Sequence, residues 1–595
     1  MIKQRIIKST FLFLIVSIFL ISSNIYAQNV RIKIVETSDV HGAIFPYDFV
    51  NDESSDNSLA QVHAYVEGER AKKDQSVILI DNGDILQGDP AVYYYNYEKT
   101  NVPHLYAEVM NFMKYDVGTV GNHDIETGHP VYDKFNDEIN FPWLAANAVD
   151  TETGNPYFKP YHIIEKQGVK IAVLGLITPG IPNWLPKKIW EGIEFEDMIV
   201  TAKKWAAIIQ EKENPDLLIG LFHSGIDHTY DNQTADMPRN ENASQLVAEQ
   251  VPGFDIVFVG HDHHEWNKTV KGPEENHVLI LGPPSRARTV TVADIKFIYD
   301  KENENWDKEI IGSIVEIKNI KPDEKFLNNF NSEFEEVKEY VSREIGIFTK
   351  TIDAKESVFS NSTFTDLIHN IQLEITGADI SFTAPLSIYS KLDEGKIYVR
   401  DMFNLYRYEN LLYTMELSGK EIKDYLEFSY SLWFDTMQSE EDNLLMFVND
   451  DEGNPVLSKR SGTAMLKNRY YNFDSAEGIE YIVDVSQPEG KRISIGSFSN
   501  GDEFSLDNKY KVAVNSYRGN GGGGHLVSGA GINKEDLSKR IINSTEKDLR
   551  YYMMKWIEEK GTVTPVESKN WKVVPEEWYQ KAVKRDYDLM FNNKK

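Results

Sequence analysis

The stretch Val117-Gly-Thr-Val-Gly-Asn-His-Asp124 decides how this chain is read. Four residues suited to a buried strand run straight into a glycine and three side chains able to hold a metal or a proton. Working outward, four other runs behave alike. Residues 31–37 lead to Asp39 and His41, and residues 77–80 lead to Gly83-Asp84. Residues 217–222 lead to His223-Ser-Gly225, and residues 256–259 to Gly260-His261-Asp262-His263-His264. With 171–177 and 278–281, these runs are short and rich in Val, Ile and Leu, as strands buried on both faces are. The segments 198–213 and 242–251 between them read as amphipathic helices, so residues 30–292 form a layered α/β domain.

In an open α/β sheet, ligands collect at the carboxyl ends of strands, so five such ends can converge on one crevice. Taken singly, each motif would be a helix cap or a turn. Five in succession, each directly after a buried strand, favour a metal site. Asp, Asn and His offer the oxygen and imidazole donors wanted by a pair of Zn²⁺, Mn²⁺, Co²⁺ or Fe ions. One carboxylate can bridge two such ions roughly 3.5–4 Å apart. Twelve of the fourteen histidines lie at or before His277, which places the chemistry in this half. Gly83, Gly121 and Gly260 are read as letting the backbone turn tightly beside the ligands.

The composition limits the alternatives. The chain has 595 residues, a formal charge of −30 and no cysteine, which excludes disulfides, thiolate metal sites and cysteine nucleophiles together. At 41% apolar residues it can bury large cores, and its acidity argues against gripping a nucleic-acid polymer. Lys3, Arg5 and Lys8 precede an apolar run over residues 11–21 and a small-residue stretch ending at Ala27. This order reads as a cleaved signal peptide over residues 1–27, with the product exported, in the periplasm, and no stable membrane span. The acidic clusters 52–56 and 450–453 lack EF-hand spacing and read as solvated turns.

Residues 319–345 read as a linker helix, with Phe326, Phe330, Phe334, Val337 and Val341 at helical spacing. Beyond it the texture changes to helices over 365–376 and 419–433 and strands over 478–485 and 511–515. Two aromatic patches stand out: Tyr470-Tyr-Asn-Phe-Asp474 and Asn515-Ser-Tyr-Arg-Gly519. The second runs into Asn520-Gly-Gly-Gly-Gly524, which lacks the Lys-Ser/Thr of a phosphate-binding P-loop and reads as a flexible surface loop. Two aromatic faces on separate loops can sandwich a nucleobase.

On the five strand-end motifs, the chain resembles the calcineurin-like metallophosphoesterases, and more narrowly the secreted 5′-nucleotidase superfamily. That resemblance implies a layered α/β/β/α catalytic domain over residues 28–318 and an α+β nucleotidase domain over 346–595. It implies that Asp39, His41 and His263 hold one divalent metal, that Asn122, His223 and His261 hold the other, and that Asp84 bridges them. His123 would face the phosphate as electrophile or general acid while a hydroxide attacks phosphorus in line. The superfamily often places Asp three residues after this histidine. Here Glu126 stands there, so either Glu126 or Asp124 orients the ring, Asp124 being read equally as a helix-start acid.

Tyr-Asn-Phe-Asp, Asn515-Ser-Tyr-Arg518, Leu405-Tyr-Arg-Tyr-Glu-Asn410 and Asp81-Asn-Gly-Asp84 resemble the 2′,3′-cyclic-nucleotide 2′-phosphodiesterase/3′-nucleotidase branch. Tyr471 and Tyr517 would then sandwich the base, with Phe473 as the substitute for Tyr471 and Arg518 as a further substrate contact. An Asn-Gly-Gly-x-Arg loop typical of 5′-nucleotidases is missing, and Thr383-Ala-Pro-Leu386 stands near its place. The expected substrates are small nucleotides. A 5′-nucleotidase/UDP-sugar hydrolase and a non-catalytic nucleotide-binding module are the alternatives.

Overall fold

The computed structural model describes residues 29–592, apart from 231–232, 274–275, 301, 304 and 459–460. The signal-peptide stretch therefore lies outside the described residues. Strand Asn29–Thr37 is central to a six-stranded sheet. It pairs in parallel with Ser76–Asp81, which is followed by Val117–Thr119 and Trp143–Leu144, and antiparallel with Thr289–Asp300. The long hairpin partner Asn305–Glu316 closes the opposite edge. A second six-stranded sheet centres on Leu217–His223, parallel to both Val169–Ile177 and Ile256–Val259.

The apolar faces of the two sheets meet in one core, where Ile32, Ile34, Ile78, Ile80 and Val117 face Ile171, Val173, Ile219, Leu221 and Ile256. Helices Met198–Glu213 and Ser244–Gln250 cover the outer face of the second sheet, burying Met198, Ala202, Ile209 and Val247. A larger outer core covers the first sheet. The order is helix, sheet, sheet, helix. Because both faces of the parallel strands are buried, their sequences carry no polar alternation.

The linker segment is two helices, Glu324–Asn329 and Asn331–Val341, broken at Phe330. Phe326 and Phe330 pack on Phe112, with ring centroids 5.9 and 5.4 Å apart. The predicted apolar stripe thus docks on the first domain. The second domain is built on a five-stranded sheet in which Ile380–Thr383, Lys509–Asn515 and Leu412–Ser418 are adjacent. Helices Thr363–Thr376 and Gly419–Trp433 belong to it, the latter opened by a Ser418/Glu421 capping box. Polar contacts join the halves: the Tyr93 hydroxyl donates to Asp548 at 2.9 Å, and that of Tyr97 to Glu409 at 2.9 Å. Among the described residues, no helix is long and apolar enough to cross a membrane.

Candidate active site and metal centre

The five strand ends meet. One acceptor group comprises Asp39, His41, Asp84 and His263, and a second comprises Asp84, His223 and His261; within each, the ligand atoms lie within 4.8 Å of one another. Asp84 is common to both. Asn122 completes the second group, its Oδ1 lying 3.1 Å from His223 Nε2 and 2.8 Å from His261 Nδ1.

The backbone explains why the ends of strands do this. Asp39, His41, Asp84, His261 and His263 all have left-handed φ, between 49° and 74°. Such conformations are uncommon outside glycine and cluster at functional sites. The two loops brace each other, with the Asp39 amide donating to Gly83 O at 2.9 Å and that of His41 to Asp84 O at 3.0 Å. Gly83 turns with φ 85°, as the sequence suggests. Gly121 does not turn in this way, having φ −102°, and its role is clearance. A Cβ on it would lie 2.2 Å from Asp84 Oδ1.

The donor set fits divalent cations. His41 Nδ1 faces Gln87 O at 3.0 Å and His223 Nδ1 faces Asn82 O at 2.6 Å, which leaves each Nε2 lone pair aimed inward when the ring is neutral. Glu241 does the same from the other side of His261, 3.0 Å from its Nε2, freeing Nδ1. The inward nitrogens then meet acceptors or one another. His223 Nε2 is 3.2 Å from Asp84 Oδ2, and His41 Nε2 is 3.0 Å from His263 Nε2. Asp84 Oδ2 is buried with the His223 ring as its charged neighbour, which suits a carboxylate shared between two ions. Burial would raise the Asp84 carboxyl, but His223 and His123 hold it well below the usual range. Burial would likewise lower His223, and Asp84 outweighs it to bring the imidazole up to about 9.

His123 opens the short helix Asn122–Glu126, and its amide donates to Asp84 Oδ1 at 2.8 Å. Its Nδ1 lies 2.5 Å from Glu126 Oε2. Asp124 acts elsewhere, its two oxygens accepting from the amides of Gly121, Asp84, Ile85 and Leu86 at 2.8–3.0 Å. Asp124 thus shapes the loop while Glu126 meets the ring. Burial opposes a proton on His123, but Asp84 first and Glu126 second raise it to about 10.

The expected substrate residues divide. Tyr471 and Tyr517 are half-buried, and the Tyr471 ring lies edge-on to Tyr408 with centroids 6.4 Å apart. Phe473 is 1% exposed and stacked on Trp433 at 5.4 Å, so it has no free face for a base. Arg518 is 2% exposed and paired with Asp474 at 2.9 Å, which corrects its reading as a direct substrate contact. The glycine run is also no loose loop: Gly521, Gly523 and Gly524 sit in tight left-handed turns at φ 101°, 70° and 77°. Missed from sequence were Glu241 and Trp184, whose indole stacks on His261 with centroids 5.7 Å apart. Neither follows a strand in the pattern that marks the ligands.

The calcineurin-like phosphoesterase family matches residues 32–265, and the 5′-nucleotidase C-terminal domain matches residues 342–528. The chain belongs to the proteins that join these two domains, and as an enzyme it is a hydrolase of phosphoester bonds. Among relatives, it is 26% identical to the Haemophilus influenzae 2′,3′-cyclic-nucleotide 2′-phosphodiesterase/3′-nucleotidase, over 94% of this chain and 90% of that protein. It is also 26% identical to the Bacillus subtilis trifunctional nucleotide phosphoesterase YfkN over 92% of this chain, spanning only 39% of that longer protein. The fold matches the crystal structure of a putative 5′-nucleotidase from Staphylococcus aureus with a TM-score of 0.73 at 22% identity, over 91% of this chain and 99% of that one.

Proposed function

We propose that this chain is an exported nucleotide phosphohydrolase that opens 2′,3′-cyclic nucleotides and removes the phosphate from the resulting 3′-nucleotides. The observation that carries the reading is the double acceptor cluster around Asp84, complete from Asp39 to His263. A binding module has no need of it. The relatives that cover nine-tenths of their own length and this chain carry the cyclic-nucleotide name, which supports that substrate class.

In this reading Asp39, His41 and His263 hold one divalent ion, Asn122, His223 and His261 the other, and Asp84 both. Bound there, two ions supply Lewis acidity toward the phosphoryl oxygens and make nearby water a usable nucleophile at neutral pH. The chain's own side chains do the rest. Gln87 O, Asn82 O and Glu241 fix the ligand tautomers. Glu126 holds Nδ1–H of His123, so that Nε2 can give a proton or a hydrogen bond to the phosphoryl or leaving oxygen. Tyr471 and Tyr517 stack on the base, and the amino-terminal segment 1–27 directs export.

Turnover of 2′,3′-cyclic AMP, 3′-AMP, 5′-AMP and a UDP-sugar, measured side by side, tests the reading. The first two are expected to dominate. A clear preference for 5′-AMP would replace it with a 5′-nucleotidase, the name borne by the Vibrio cholerae relative.

A further inference from the structure

The buried arginine between the aromatic loops has a structural role of its own. We propose that Arg518, seconded by His525, is a positioning residue that assembles the nucleobase clamp before substrate arrives, by tying the Tyr471 loop to the Tyr517 loop. This rests on the reading of Tyr471 and Tyr517 as the base-stacking pair.

Arg518 follows Tyr517 in the short helix Ser516–Gly519, and its guanidinium reaches three backbone or side-chain stations. Nη2 donates to Tyr471 O at 2.6 Å and to Asp474 Oδ1 at 2.9 Å. Nε donates to Asp474 Oδ2 at 3.0 Å, and Nη1 to Gly522 O at 3.1 Å. The hydroxyl of Tyr425 is a further partner of Asp474. His525 lies between the same loops, with Nε2 2.9 Å from Asn472 O and Nδ1 3.0 Å from Gly523 O, and the buried neutral ring donates to one of these two carbonyls. Phe473, between these anchors, is pinned by its stack on Trp433. Tyr471 is therefore held at its own carbonyl, at Phe473 and at Asp474, with the His525 ring packed against Asn472 O.

The glycines make room for this arrangement. A Cβ on Gly523, whose φ is +70°, would lie 2.2 Å from Arg518 Nη1 and 2.7 Å from Asn472 Oδ1. One on Gly522 would lie 2.5 Å from the Tyr517 ring. The planar fork matters as much as the charge, because a lysine offers a single point where Arg518 bonds at Nε, Nη1 and Nη2. A buried ion pair gives little net stability against well-packed apolar side chains, so its worth here lies in geometry. A clamp already in place spares the ligand the cost of ordering two loops.

Two measurements test this. For Arg518→Lys, the ratio of kcat/KM for 3′-AMP to kcat/KM for p-nitrophenyl phosphate, which has no base, should fall about 5- to 150-fold, mainly through KM. Equal losses on both substrates, or none on either, overturn the proposal. Hydrogen exchange on the wild-type protein does not depend on the variant folding. The amides of Phe473 and Gly524, which donate to Tyr470 O at 3.0 Å and Gly521 O at 3.2 Å, should be protected without nucleotide and little changed on adding adenosine. Free exchange that adenosine suppresses would show a clamp formed by the ligand, contrary to the proposal. Wild-type protein that hydrolyses p-nitrophenyl phosphate as well as any nucleotide would sink the proposed function instead, leaving the exchange data to judge the clamp.

Discussion

Replacing Glu126 by Gln separates the two acids that follow His123. The amide keeps an oxygen near His123 Nδ1, where Glu126 Oε2 now lies at 2.5 Å, and removes the charge. A hydrogen bond to a charged group contributes about 1.5–3 kcal/mol. If that contribution is realised in the transition state, kcat should fall about 10- to 150-fold. Glu126 is not among the residues of either acceptor cluster, so metal content should be unaltered. The pH profile should move as well, because Glu126 is the second of the charges that raise His123 to about 10, and its loss should bring the alkaline limb of the profile, where the acid gives up its proton, to lower pH. Asp124→Asn is the contrasting variant. An amide keeps one acceptor oxygen, for either Gly121 and Asp84 or Ile85 and Leu86, and turns N–H groups toward the other two amides; each buried donor left unpaired costs about 1–3 kcal/mol. Its main effect should be on melting temperature. Steady-state kinetics, metal analysis and thermal unfolding on both variants check the assignment. A Glu126→Gln enzyme within twofold of wild type in kcat, with Asp124→Asn stable but slow, would refute it.

Stripping with a chelator should abolish phosphate release, and Mn²⁺, Co²⁺ or Zn²⁺ should restore it; full activity in metal-free protein would rule out the metal reading. Asp84→Ala removes the group common to both clusters and should cost most of the rate and part of the bound metal, read by turnover and elemental analysis. His223 is lifted to about 9 chiefly because Asp84 outweighs burial, so metal must displace its proton at pH 7. Metal affinity should then weaken by up to about tenfold per pH unit below that value, and calorimetry in buffers of different ionisation enthalpy should record the proton released.

The first domain was legible because its signals are redundant. A run such as 217–222, apolar at nearly every position, suits a strand covered on both sides, and the side chain after it stands at the sheet's carboxyl edge. Leu217–His223 and Ile256–Val259 form as expected, and His223 and His261 follow from them. What escaped was chemistry without a side-chain signature. Asn82 and Gln87 orient histidines through backbone carbonyls, which any residue possesses. Glu241 reaches His261 from a loop with no periodicity. In the second domain, Tyr471 and Phe473 flank Asn472 at a single 3₁₀ turn, Tyr470–Asn472, too short for any period to show which ring faces the core. The glycine run misled for a related reason: freedom of the backbone and absence of a Cβ leave the same mark in a sequence, and here the space is what the structure uses.

Metal chemistry and substrate selection are therefore built by different means, and this bears on the acidity of the chain. Around Asp84, left-handed backbone at five ligand positions gathers oxygen and imidazole donors whose charge only a cation or a proton can balance. At the aromatic loops the deeply buried Arg518 is neutralised by Asp474, so this arginine has no free charge to draw in a phosphate, and the cations that act on Tyr470 are Arg407 and Arg469. With −30 over the whole chain and Arg518 already paired, cations that fill the Asp84 clusters would be a main source of attraction for an anionic substrate. Apparent KM for nucleotides should thus depend on metal occupancy as well as kcat, while binding of an uncharged nucleoside should not. A nucleoside affinity that tracks metal content would break this separation.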